Sequence, residues 1–82
     1  MSTTDILNIL ISEIHECVPE LIDQPITAET SMTEIGINSM ERAEILIATL
    51  EAMDLTVPMT SLHGPKNLGE LSELLHAKKS EG

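Results

Sequence analysis

Ile6, Leu10, Ile14 and Val18 recur every four residues with Leu7 and Ile11 beside them, and this spacing predicts an amphipathic helix. Thr3-Thr4-Asp5 offers N-cap chemistry and a negative charge for its start, and Pro19 stops it. From Pro19 to Ile37 the periodicity is lost. Pro25, Thr27, Thr30, Ser31, Thr33 and Gly36 mark a long connection, with Leu21, Ile22, Ile26, Met32 and Ile35 as scattered apolar anchors. A loop of this length in a short chain tends to be functional. Met32 to Ile35 reads as one helical turn that Gly36 ends.

A second helix has the clearest start. Asn38 with Glu41 is an Asn-x-x-Glu capping box. Met40, Ala43, Ile47, Leu50 and Met53 supply the apolar stripe, joined by Ile45 and Leu46, while Glu41, Glu44, Glu51 and Asp54 stay outward. The exit runs through Leu55-Thr56-Val57-Pro58, because Pro58 biases the preceding residue toward extended backbone. Met59 to Leu62 reads as a short third helix, broken by Gly64-Pro65. Asn67 and Glu70 repeat the cap signature before the stripe Leu68, Leu71, Leu74 and Leu75, and residues 78–82 form a polar tail expected to fray. No segment alternates strictly enough for a strand. The expected fold is all-α: a small four-helix bundle, three main helices plus one short helix, with a long loop between helices one and two.

At 82 residues the chain has room for a single domain and one modest core, too little to wall a deep catalytic cleft. Hydrophobic residues make up 41% and the mean hydropathy is +0.10, which favours folding over disorder. Aromatic residues are absent, so the core is aliphatic and offers no platform for stacking bases. Four Lys and Arg against 14 Asp and Glu give a formal net charge of -10. Such a surface repels nucleic acid and anionic lipid and favours partners with basic patches. Its self-repulsion predicts that added salt or divalent cations raise the melting temperature; a flat or falling melting curve against salt would count against it. Cys17 is the one cysteine, so no intrachain disulfide forms. With no signal peptide and no apolar run of membrane-spanning length, a soluble, monomeric cytoplasmic protein is expected.

Ser39 stands at the first position of the second helix, after the Gly36-Ile37-Asn38 turn. There the long loop leaves a hydroxyl on a reachable edge, beside free helix amides that favour an anion. The run Gly36-Ile37-Asn38-Ser39-Met40, continued by Glu41-Arg42-Ala43-Glu44-Ile45, resembles the phosphopantetheine attachment motif of acyl carrier proteins. That motif is usually Gly-x-Asp-Ser-Leu followed by an acidic amphipathic helix, and the resemblance extends along nearly the whole chain. It implies a carrier with no catalysis of its own. A phosphopantetheinyl transferase moves 4'-phosphopantetheine from coenzyme A onto Ser39, and the terminal thiol holds acyl groups as thioesters. A tethered cargo then meets each partner at high effective concentration. The resemblance also implies a recognition face of Glu41, Glu44, Glu51 and Asp54, with Met40 at the family's Leu position.

Two departures bear on the role. Asn38 replaces the usual Asp, keeping the cap and losing a charge, and Arg42 adds a positive charge to a face that is normally negative. Both point to a specialised partner set. The Asn-Ser-Met-Glu-Arg-Ala-Glu-Ile run is similar to the discrete donor carriers of polyketide β-branching cassettes. The partners so implied are an acyltransferase and a ketosynthase, or an enzyme similar to 3-hydroxy-3-methylglutaryl synthase.

Plainer readings stand beside these. On local sequence alone, Ser39 is a helix-start serine, the acidic positions are a solvated face, and Arg42 pairs with a neighbouring carboxylate for about 0.3–0.5 kcal/mol. His15 and Cys17, two residues apart, point to different helix faces, and Cys17 is expected partly buried near the helix end. With His63 and His76 distant in sequence, no metal site is expected. A Ser39, His63, Asp54 triad lacks an oriented base and an oxyanion-hole signature. Met40, Met53 and Met59 read first as core or rim residues. The rival carriers are peptidyl and D-alanyl carrier proteins, and the rival outside the class is an unmodified helical interaction module.

Overall fold

Ser2, one residue earlier than the expected Thr3-Thr4-Asp5 start, caps the first helix. Its hydroxyl accepts from the Asp5 amide at 3.1 Å, and the Asp5 carboxylate accepts from the Ser2 amide at 3.0 Å. The chain is described over residues 1–81 by a computed structural model. Its α-helices are α1 (Thr3–Cys17), α2 (Ser39–Ala52) and α3 (Leu68–Glu81), with 3-10 helices at Pro19–Asp23 and Met59–Leu62. No strand occurs among the described residues. The expected all-α bundle is what forms, and its short fourth helix is of the 3-10 kind. The 3-10 helix at Pro19–Asp23 lies where periodicity had been lost, since five residues are too few to show a helical repeat. It buries Leu21.

α1 packs against both α2 and α3. Its Ile6, Leu10 and Ile14 are fully buried, and each stabilises the fold by about 1.5–3 kcal/mol. α2 buries Leu50 and Met53 of the expected stripe, together with Ile45 and Leu46, but leaves its Met40 and Ile47 outside. Thr49 is buried with them, whereas Met40 is 74% and Ile47 50% exposed. Apolar residues occupy two sides of this helix, and spacing cannot choose between them. Rotating Ile47 inward would expose Ile45 and Leu46 at about 1.5–3 kcal/mol each, so the observed face wins. Two polar side chains enter the core by bonding their own helix. Thr49 Oγ1 donates to the Ile45 carbonyl at 2.8 Å, and Ser72 Oγ donates to the Leu68 carbonyl at 2.7 Å.

The long connection is tied at two places. Met32 to Ile37 is one helical turn closed by a Schellman motif: the Ile37 amide donates to the Met32 carbonyl at 2.9 Å, and the Gly36 amide to the Thr33 carbonyl at 3.2 Å. Gly36 has φ 87, which a residue with a Cβ adopts only at a cost. Met32 and Ile37 are both buried, the apolar pair that this motif carries. Further along, the first amides of α3 are satisfied by the loop itself. Leu68 N–H donates to the Thr30 carbonyl at 2.9 Å, and Gly69 N–H to the Ala28 carbonyl at 2.7 Å.

The far end of α2 uses the same motif without glycine. The Leu55 amide donates to the Leu50 carbonyl at 2.9 Å and the Asp54 amide to the Glu51 carbonyl at 3.1 Å, with Asp54 at φ 52. Lys79 Nζ then donates to the Met53 carbonyl at 2.8 Å, placing a cation on the negative end of α2. The polar tail expected to fray from Lys78 therefore continues α3 through Glu81, because Lys79 has work at another helix. The remaining tail residue, Gly82, lies outside the described residues.

Candidate functional site

Ser39 is exposed and opens α2, held from both sides. Upstream, Ile37 is buried at the end of the Schellman turn. Downstream, the expected capping box closes: the Glu41 amide donates to Asn38 Oδ1 at 2.8 Å, and the Asn38 amide donates to Glu41 Oε1 at 3.2 Å. The amides of Ser39 and Met40 have no hydrogen-bond partner among the described residues. A rigidly placed hydroxyl thus stands beside two free donors at the positive end of a helix, a setting that suits a phosphate ester.

Ser39 borders a groove of about 490 Å³ shared with Arg42, Ala43, Met59 and His63. His63 and Asp54 do not meet there. Asp54 lies fifteen residues along from Ser39, about 22 Å at the rise of an α-helix.

The proposed recognition residues do not share one face. Met40, Glu44 and Glu51 are exposed at spacings that align them along α2, and the exposed Ile47 completes the row. Asn38 and Glu41 are engaged in the cap, and Asp54 sits beyond the helix in the left-handed conformation. Arg42 makes no ion pair with a helix neighbour, contrary to the plainer expectation. Its Nη2 donates to the Leu62 carbonyl at 3.2 Å, half-buried against the 3-10 helix that follows Pro58. Two residues apart on α2, Arg42 and Glu44 point to different sides of the helix, and Arg42 reaches the Leu62 carbonyl instead.

Cys17 is half-buried as expected, and it joins α1 to the start of α2. Its thiol donates to Glu44 Oε2 at 3.4 Å. Burial, and then the neighbouring Glu44 carboxylate, push the thiol's pKa up, so it is a poor nucleophile. His15 Nε2 is shielded from solvent without a hydrogen-bond partner. Among the described residues no three His, Cys, Asp or Glu side chains converge on a position that could hold a metal ion. Ile47 and Lys66 were not singled out as site residues by the sequence, and His63 entered only as the base of a triad that was set aside. Ile47 read as core, and the other two lie in a Gly-Pro loop with no periodic signal to place them.

Known proteins define the class. Residues 12–75 match the family described as "Phosphopantetheine attachment site". The polyketide biosynthesis acyl-carrier-protein AcpK of Bacillus subtilis (strain 168) is 40% identical over 78 residues, 95% of each chain. Among solved structures, the chain is similar to one from the crystal structure of the curacin biosynthetic pathway HMG synthase in complex with acetyl donor-ACP. That match has a TM-score of 0.90 at 40% identity and covers 95% of this chain and 100% of the other. The chain belongs to the phosphopantetheine attachment-site family and is an acyl carrier protein of the polyketide-biosynthesis kind. Its covalent group is 4'-phosphopantetheine, and the exposed hydroxyl and free amides at the start of α2 fit that group. No described helix is long and apolar enough to cross a membrane.

Proposed function

We propose that the 82 residues act as one carrier domain that accepts phosphopantetheine at Ser39, presents short acyl thioesters to partner enzymes, and catalyses nothing itself. The observation that carries this reading is the Ser39 hydroxyl, exposed at a capped helix start with two free amides beside it. In the loading step Ser39 Oγ attacks a pyrophosphate phosphorus of coenzyme A. The new O–P bond forms as the bond to the nucleotide portion breaks, and the transferase removes the proton. What the group supplies once attached is a thiol for thioester exchange. The chain's own residues hold the attachment point rigid and offer the surface that partners recognise.

That surface is the row Met40, Glu44, Ile47 and Glu51, apolar and acidic in alternation, suited to a basic partner with an apolar slot. Asn38 and Glu41 act on recognition by fixing the helix start, Asp54 by ending it, and Arg42 from the groove side. The acetyl-donor role in β-branching, with an HMG-synthase-like partner, is supported by the similarity to the curacin donor carrier. An acidic chain with one weakly reactive thiol also suits the reducing cytoplasm.

Intact mass spectrometry after incubation with coenzyme A and a broad-specificity transferase tests the reading. One phosphopantetheine gained by the wild type and lost in Ser39→Ala supports the carrier; no gain favours an unmodified helical module. The donor role is tested by loading acetyl or malonyl groups and assaying transfer to an HMG-synthase-like enzyme. Indifference of that enzyme to carrier identity would remove the donor assignment.

A further inference from the structure

Among the described residues the one ion pair joins Lys78 to Glu81 at 3.9 Å, so Arg42 and Lys66 have no carboxylate partner in a chain with 14 acidic residues. Both unpaired cations line one cleft of about 270 Å³, between the Met32 turn and the start of α3. Ser31, Thr33 and Asn67 add polar groups to its wall, and no Asp or Glu lines it. Asn67 Oδ1 accepts from the Glu70 amide, which leaves the Asn67 NH2 as a donor. Oε1 of the nearby Glu70 carboxylate accepts from the Lys66 backbone amide at 3.0 Å. Buried Met32 and Leu71 form the floor and lower the local dielectric. Arg42 is held by its bond to the Leu62 carbonyl, and its other N–H donors remain for a ligand.

A half-buried guanidinium without an anion is a cost that a bound carboxylate offsets, with charge-assisted hydrogen bonds in return. The cleft and the groove at Ser39 share Arg42 and Pro65 in their walls, so they are adjacent. Ser39 itself borders only the groove, which leaves the cleft for the far end of whatever is tethered there. We propose that this cleft binds the free carboxylate of a dicarboxylic acyl group, such as a malonyl or succinyl half-thioester, carried by the same molecule. The proposal rests on Ser39 being the attachment point. It gives the carrier a means of holding a carboxylated cargo close and leaving an acetyl cargo free.

The test uses the full chain, loaded by a transferase with acetyl-, malonyl- or succinyl-coenzyme A, checked by intact mass and compared by amide NMR. Malonyl and succinyl loading should shift the amides of Ser31, Thr33, Lys66 and Asn67, and acetyl loading should not. Lys66→Gln, an exposed position, should remove most of that difference, as should Arg42→Gln, and raised salt should weaken it. Equal shifts with all three cargoes would assign the cations to the arm's phosphodiester and overturn the cleft's carboxylate role. Loading at Ser39 with no shift at these amides would overturn the cleft alone. No mass gain would overturn both readings.

Discussion

The Gly69 amide donates to the Ala28 carbonyl at 2.7 Å, and a Cβ at position 69 would stand 3.1 Å from both that oxygen and the Ala28 side chain. This approach fastens the long loop to the start of α3, on the same side of the fold as the cleft of Arg42 and Lys66. Gly69→Ala ordinarily favours a helix. Here the oxygen in the way is fixed by the bond it accepts, so crowding outweighs propensity and stability should fall by about 1 kcal/mol. Urea denaturation measures it. Adding Ala28→Gly should restore part of the loss, and a stabilised Gly69→Ala protein would show that the loop yields instead.

Lys79 and its neighbour Lys78 should behave differently although adjacent. Lys79 Nζ caps the Met53 carbonyl at 2.8 Å, whereas Lys78 faces Glu81 across 3.9 Å at the surface. Lys79→Met should cost about 1 kcal/mol through the lost charged cap, and Lys78→Met close to nothing. Equal effects in thermal or urea unfolding would mean that α3 does not clamp the end of α2.

Cys17 should alkylate slowly. Burial is the larger cause of its raised pKa and the Glu44 carboxylate the next, so Glu44→Gln lowers the pKa only in part. Iodoacetamide at pH 8 should react faster with Glu44→Gln than with the wild type, because removing the carboxylate lowers the thiol's pKa. An unchanged rate would separate Cys17 from α2.

Glu13 carries a raised pKa, from burial first and then from Glu16 and Glu51. The folded state therefore binds this proton more tightly than the unfolded chain, and stability falls as pH rises from the ordinary value of 4.5 through the folded one. Glu13→Gln should stabilise the protein at neutral pH by about 0.2–0.5 kcal/mol, the scale of one like-charge helix pair, and by nothing well below that window. Asp5 works in the opposite sense. Its pKa is lowered, mainly by the Ser2 amide, so its stabilisation is present above 3.8 and lost as pH falls through the folded value. Melting curves of Glu13→Gln and Asp5→Asn against pH should diverge accordingly.

The features that were legible in the chain are those whose causes lie within a few residues. The cap of Asn38 and Glu41, the turn ended by Gly36 and the position of Ser39 all rest on local hydrogen bonds between near neighbours. The four-residue repeat of α1 was readable for the same reason, because each of its buried positions faces the same way. Capping at Ser2 was missed by a single residue, a distance over which Ser and Thr are equivalent acceptors.

The rest depended on which surfaces came together. α2 has apolar residues on two sides, and only packing against α1 buried Ile45 and left Ile47 exposed. Arg42 could not be assigned to a carbonyl twenty residues on, nor Lys79 to the end of another helix, because no local pattern encodes a tertiary partner. The sequence by itself determined the three α-helices, the Asn38–Glu41 cap and the hydroxyl at the start of α2, through interactions the chain makes with itself over one turn. Tertiary structure alone decided which face of α2 stays exposed and which two cations share a cleft, since burial is settled by the whole core at once.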